Sequence, residues 1–175
     1  GAYADDGAND IVGDNADFFH ELNSFTNLVV VKYDGATAEV TTTNSDIAIH
    51  QDGAYVTVDM QSKGVANTEV VIVGRSSDGA LKIYSDSKYK LSLYGVDLCS
   101  QRGPAINSQS KKRVFLNIYP ETTNRLSDCA TYSEDSYTMP GVFNEDRKGA
   151  LFAEGNIIVS GHGALVVSCR YIPAI

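Results

Sequence analysis

Four basic residues stand close enough in the chain to act together on an acidic substrate: Lys111-Lys112-Arg113, with Arg102 shortly before them. Clustered ammonium and guanidinium groups can hold the carboxylate of a uronic acid. An Arg or Lys beside a neutralised carboxylate can also remove the adjacent proton, which is the chemistry of a polysaccharide lyase. The run precedes a strand at a turn, where solvated charges discourage edge pairing. It therefore has three readings: protection of a strand edge, binding of acidic sugar through Lys111 and Arg113, and catalysis. Tyrosine is abundant at 10 residues and Trp is absent. Tyr94 and Tyr119 lie 25 residues apart, and each follows an inward-pointing residue. They should meet on neighbouring strands and face outward, either as flat platforms for a pyranose ring or as an exterior aromatic ladder. Asp97, Asp128, Asp146 and Glu154 fall nearest the expected corners of the fold. Calcium gathers about 6 to 8 oxygen ligands from such loops, and Asp97 and Glu154 are the best placed to supply them. The alternative for each is a solvated turn or a strand-end cap.

Nucleophilic hydrolysis finds no support. The three histidines are His20, His50 and His162, and no Ser or Cys sits in a G-x-S-x-G setting. The 22 Asp and Glu residues make chance carboxylate pairs easy, yet none stands in a distinctive motif. No catalytic residue is assigned. Cys99, Cys129 and Cys169 lack any C-x-x-C spacing, which leaves unpaired thiols or one bridge.

The elements that would position these residues announce themselves by repetition. Gly79-Ala80-Leu81, Gly103-Pro104-Ala105-Ile106, Gly149-Ala150-Leu151-Phe152 and Ile172-Pro173-Ala174-Ile175 return with alanine steps of 25, 45 and 24 residues. Leu91-Ser92-Leu93, Val114-Phe115-Leu116 and Ile157-Ile158-Val159 return in step with them. Both long gaps contain Asp128 to Lys148, a polar run without apolar alternation. Removing about 20 residues there restores a single period, in the range of stacked-repeat architectures. Short alternating strands could also build a sandwich, but sandwich strands need not repeat a fixed unit. The period predicts an all-β parallel β-helix, with Gly-x-Ala at a corner. Leu91 should then stack with Val114 and Ile157, and Leu93 with Leu116 and Val159. Asp34-Gly35 and Asp52-Gly53 read as turns between earlier strands. Ala16 to Phe25 places Phe18, Phe19, Leu22 and Phe25 on one helical face, suited to capping the open core end.

At 175 residues, 43% hydrophobic, the chain is one domain able to bury a core. Residues 1–9 read as a cleavage scar or linker. Residues 10–175 read as the β-helix domain, with an N-terminal cap region and a polar insertion at 128–148. The net charge of −8 opposes nucleic acid or an anionic membrane surface as the main partner, and suits a secreted protein. No apolar run approaches the roughly 20 residues of a membrane span.

Lys82-Ile83-Tyr84-Ser85, Lys90 to Leu98, Gly103 to Asn107, Gln109 to Phe115, Thr123 to Asp128 and Lys148 to Gly155 together carry a resemblance. The chain resembles the carbohydrate-binding β-helix domains of bacterial cell-surface proteins, formerly a domain of unknown function and common in Bacteroides-like bacteria. The resemblance covers about Val70 to Ile175. It implies a right-handed, single-stranded parallel β-helix and export as a lipoprotein to the bacterial outer surface. Membrane contact would then come only through an N-terminal lipid anchor outside this sequence. It further implies calcium, and non-catalytic binding of plant-type or acidic polysaccharide. The runner-up is a structural or adhesive surface solenoid, followed by a uronate polysaccharide lyase. Members of that family continue past a phrase like Ala174-Ile175 into further coils. The solenoid is therefore expected to be incomplete at its C-terminus, with an open end free to associate.

Overall fold

The computed structural model describes residues 25–133 and 145–172, and among them every regular element is a strand. Two mixed sheets share the core. The first contains β1 (Asn27–Asp34), β2 (Thr37–Thr42), β5 (Thr68–Ser76), β7 (Tyr89–Cys99), β9 (Val114–Ile118), β10 (Thr123–Ser127), β12 (Ile157–Gly161) and β13 (Ala164–Ser168). The second contains β3 (Ala48–Asp52), β4 (Ala54–Met60), β6 (Gly79–Ser85), β8 (Ile106–Ser108) and β11 (Leu151–Ala153). From β4 onward the chain passes back and forth between the sheets. Returning strands land parallel to an earlier strand of the same sheet, giving β1-β5-β7-β9-β12 on one side and β4-β6-β8-β11 on the other, with β10 placed between β7 and β13. At the first end β2 and β3 fold back antiparallel through two-residue loops. Gly35 and Gly53 supply the left-handed φ of 67° and 60° that such tight loops require.

Alternation decides which side chains meet. Val29, Val31, Val70, Ile72, Leu91, Leu93 and Leu116 point inward from the first sheet, and Val56, Val58, Leu81, Ile83 and Ile106 from the second. Burying each such side chain contributes roughly 1.5 to 3 kcal/mol. Two inward phenols are satisfied inside this core. Tyr33 donates to the Ala80 carbonyl at 2.8 Å, and the Tyr89 hydroxyl meets Ser108 Oγ at 2.5 Å.

The alanine phrase registers as its spacing predicts. Leu81, Ile106 and Leu151 are paired in line, and the N–H groups of Leu81 and Ala105 donate to the carbonyls of Ala105 and Ala150 at 2.8 and 2.9 Å. Ala174 lies outside the described residues. The strand phrase holds in part: Val114 pairs with Ile157 and Leu116 with Val159 as expected, whereas on β7 Leu91 pairs with Leu116 and Leu93 with Ile118, two residues further on. The step from β7 to β9 is thus 25 residues, the same as the alanine step. A shift by two leaves every side chain on its expected face, so apolar alternation alone could not detect the error. The excess length does fall between β10 and β11. Of its described ends, Glu145 contacts Lys82 on the outer face of the second sheet and Asp128 is only 1% exposed, while residues 134–144 of the expected polar insertion lie outside the described residues. Of the expected helix Ala16 to Phe25, only Phe25 is described, packed against Phe115 and Ile158 on the outer face of the first sheet. Cys99, Cys129 and Cys169 are free thiols.

A corner interrupts the first sheet where Tyr94-Gly95 bulges from β7, since the β5 to β7 register shifts between Ile72 and Gly74. Asn124, fully buried in β10, holds it. Its Oδ1 accepts the N–H groups of Gly95 and Val96, both at 2.9 Å, while Nδ2 donates to Thr122 Oγ1 and the Ala164 carbonyl. Replacing Asn124 with Ala strands two buried N–H groups, and urea denaturation should show a loss of about 2 to 4 kcal/mol. At the same corner Gly74 has φ 90°, and a Cβ there would lie 2.1 Å from the Tyr33 carbonyl oxygen. The Gly74→Ala variant should lose more than about 3 kcal/mol in the same measurement.

Candidate functional site

Where the chain leaves the second sheet and enters the first, successive turns stack into a cleft of about 570 Å³. Its walls carry Asn67 before β5, Asp86 and Lys88 between β6 and β7, Lys111, Lys112 and Arg113 between β8 and β9, and Asn156 before β12. Serine shapes these turns locally: Ser85 Oγ accepts from the Ser87 N–H, and Ser110 Oγ from the Lys112 N–H, both at 3.1 Å. The turns then hydrogen-bond across the stack, with the Tyr89 N–H on the Arg113 carbonyl and the Val114 N–H on that of Asn156. Gly155 lets the next turn approach closely, since a Cβ there would lie 2.4 Å from the Lys112 carbonyl oxygen.

The result is a local inversion of charge. A chain of net charge −8 concentrates four cations and one carboxylate along a single concave surface. Concavity focuses such a field, and salt screens it with a Debye length of about 8 Å at physiological ionic strength. Lys111 and Lys112 are exposed, whereas Arg113 is half-buried. A second recess, of about 440 Å³, adjoins the first through Asp86, Lys111 and Lys112, and adds Gln61 and Gln109.

The other expected participants are distributed differently. Arg102 lies at the opposite end of β8 from Lys111, hydrogen-bonded to Asp52 at 2.8 Å and stacked 3.9 Å over the Tyr55 ring. It does not join the Lys111–Arg113 cluster. Tyr94 and Tyr119 do meet, with ring centroids 4.7 Å apart, but at 74° to one another. The pair therefore presents one half-exposed face, that of Tyr94, and no double platform. Burial, the Glu69 carboxylate and the adjacent Tyr94 hold the Tyr119 phenol above its ordinary pKa. Tyr119 and Arg113 flank the two ends of β9, about 20 Å apart along the strand. Asp97 is exposed on β7, opposite Arg75 and Arg125 in register, while Glu154 follows β11 and its N–H donates to the Ser108 carbonyl. The two carboxylates are not brought together. Among the described residues, no three His, Cys, Asp or Glu side chains are grouped as metal ligands.

Two buried polar clusters carry no sequence signature. On the outer face of the first sheet, Lys90 lies 3.8 Å from Glu69, whose carboxylate accepts Ser92 Oγ at 2.7 Å. Burial lowers the Lys90 pKa, against the opposing pull of Glu69. On the outer face of the second, Glu145 pairs with Lys82 and accepts the Tyr84 hydroxyl at 2.5 Å. Lys82 and Lys90 occupy the outward positions of alternating strands, where lysine ordinarily reads as solvated. Their covers come from distant parts of the chain, so local pattern gives no warning.

No curated protein sequence matches the chain. Among solved structures, the polysaccharide lyase-like protein from C. thermocellum, determined as a gadolinium derivative, is similar with a TM-score of 0.61 and 17% identity. The likeness covers 83% of this chain and 53% of that one, so this chain spans about half the length of its structural relative. At that identity the likeness concerns the fold. The family profile described as carbohydrate-binding domain-containing protein matches residues 52–175, which include both sheets from β4 onward and the whole Lys111–Arg113 turn, and the chain belongs to that family.

Proposed function

We propose that the chain is a stretch of right-handed parallel β-helix that binds acidic polysaccharide at the bacterial outer surface without cleaving it. The observation that carries this reading is the cationic cleft at Lys111, Lys112 and Arg113, in an otherwise acidic member of a carbohydrate-binding family. Its ammonium and guanidinium groups suit the evenly spaced carboxylates of a uronate polymer, and Asn67 and Asn156 suit its hydroxyls. The parallel strand order and the repeated passage between sheets support the helical architecture. Tyr94 supplies a stacking face about a strand length away, within reach of an extended chain. Calcium would assist by bridging carboxylates of glycan and protein, with Asp97 and Glu154 as the candidate ligands.

Affinity electrophoresis in gels containing polygalacturonate tests the reading. The wild-type protein should be retarded, and retardation should fall steeply with added salt. The Lys111→Ala/Lys112→Ala variant should bind at least about tenfold more weakly, because two close charge contacts are lost. Tyr94→Ala should bind a few-fold more weakly at unchanged salt dependence. Incubation with the polymer should release no unsaturated product absorbing in the near ultraviolet. Absence of retardation by any acidic polysaccharide, with or without calcium, overturns the binding reading and leaves an adhesive surface protein. Appearance of the unsaturated product establishes the lyase.

A further inference from the structure

The bulge at Tyr94-Gly95 decides what the outer face of the first sheet displays. Before it, the outward residues of β7 are Lys90, Ser92 and Tyr94; after it the alternation advances by one, so that Val96 is buried and Asp97 is exposed. Asp97 thereby comes to lie opposite Arg75 of β5, which lies opposite Asp34 of β1, with one strand spacing of about 4.8 Å between neighbours. All three side chains are exposed, and with Ser77 and Cys99 they line a recess of about 350 Å³. That volume falls within the range of about 300 to 1,000 Å³ of small-molecule sites. Among the described residues no ion pair joins Arg75 to either carboxylate, although the three face one another in register. Their polar atoms are left to the recess. Three residues back along β7, about 7 to 10 Å away, the Tyr94 ring stands 51% exposed, braced edge-on by Tyr119 with one face open.

We propose that this recess and the Tyr94 ring together form a second sugar subsite, for a neutral pyranose with vicinal hydroxyls. A carboxylate only accepts hydrogen bonds and a guanidinium only donates them. Neighbouring hydroxyls on one ring can therefore donate to Asp97 and accept from Arg75, and both bonds are charge-assisted. The apolar face of the same ring, or of the next sugar along, stacks on Tyr94. Two carboxylates against one guanidinium give the recess a negative balance, which repels a uronate where the Lys111–Arg113 cleft attracts it. Arg75, standing between Asp34 and Asp97, likewise opposes a cation bridging them, so this subsite works without metal. The two sites stand at opposite ends of β5, about 26 Å apart along the strand. The proposal rests on the carbohydrate-binding family and not on the acidic-glycan reading.

The test is affinity electrophoresis of the Lys111→Ala/Lys112→Ala variant, in which the cationic cleft is silent, through gels containing soluble galactan, arabinoxylan or glucomannan, with EDTA present. At least one of these neutral polymers should retard it, equally at low and high salt because the polymer carries no charge. Adding Asp97→Asn or Arg75→Ala should weaken binding at least about tenfold, and adding Tyr94→Ala should weaken it several-fold. Lys32→Ala, on the same sheet but outside the recess, should change nothing. All these side chains are exposed, so each variant should keep the parent's urea midpoint. No retardation by any of the three polymers, retardation that requires calcium, retardation that Asp97→Asn and Arg75→Ala both leave intact, or retardation that Lys32→Ala weakens as much overturns the proposal. Retardation of the wild type by polygalacturonate is read separately, so failure of this subsite and failure of the acidic-glycan reading are told apart.

Discussion

A parallel ladder accepts a new strand only if every backbone donor finds a carbonyl on the strand before it, and this requirement governs the whole molecule. The chain must return to the same sheet with the same facing after each excursion, so excursion length is fixed in register and in parity. Ser85 and Ser110 shape the returning turns, Asn124 holds the bulge at the corner, and Gly74 and Gly155 permit backbones to approach where any side chain would collide. The cationic cleft follows from the same rule. Turns that must stack to keep the ladder continuous also stack whatever side chains they bear, and here those are lysine and arginine.

Much of this was legible in the amino-acid sequence. The recurring alanine phrase gave the true step, because Ala80, Ala105 and Ala150 sit where strands enter the second sheet and little variation in size is tolerated there. In the strand phrase β9 and β12 were matched correctly, but β7 was read two residues out of register, since Leu, Val and Ile are interchangeable to a pattern whose period is two. β10 escaped notice because one of its two inward residues is Asn124, a buried amide that reads as a loop residue in any hydropathy scan.

The candidate site divides along similar lines. Contiguous residues, such as Lys111 to Arg113, and residues one repeat apart, such as Tyr94 and Tyr119, could be paired from spacing alone. Ring orientation could not, since it depends on how the Tyr94-Gly95 bulge turns its side chain. Nor could the separation of Arg102 from Lys111: few residues lie between them, yet those residues include the whole of β8. The burial of Lys82 depends on Glu145, 63 positions away across the longest connection, where no periodic signal operates.

One exterior column bears on how such a chain can change in length. Asp34, Arg75, Asp97 and Arg125 follow one another across β1, β5, β7 and β10, strictly alternating in sign. Opposite charges facing across adjacent strands are favourable and like charges unfavourable. Excising one interior repeat from this column would set Asp against Asp or Arg against Arg, whereas excising two would restore the alternation. The column thus gives a mild electrostatic preference for change in length by pairs of repeats over change by one.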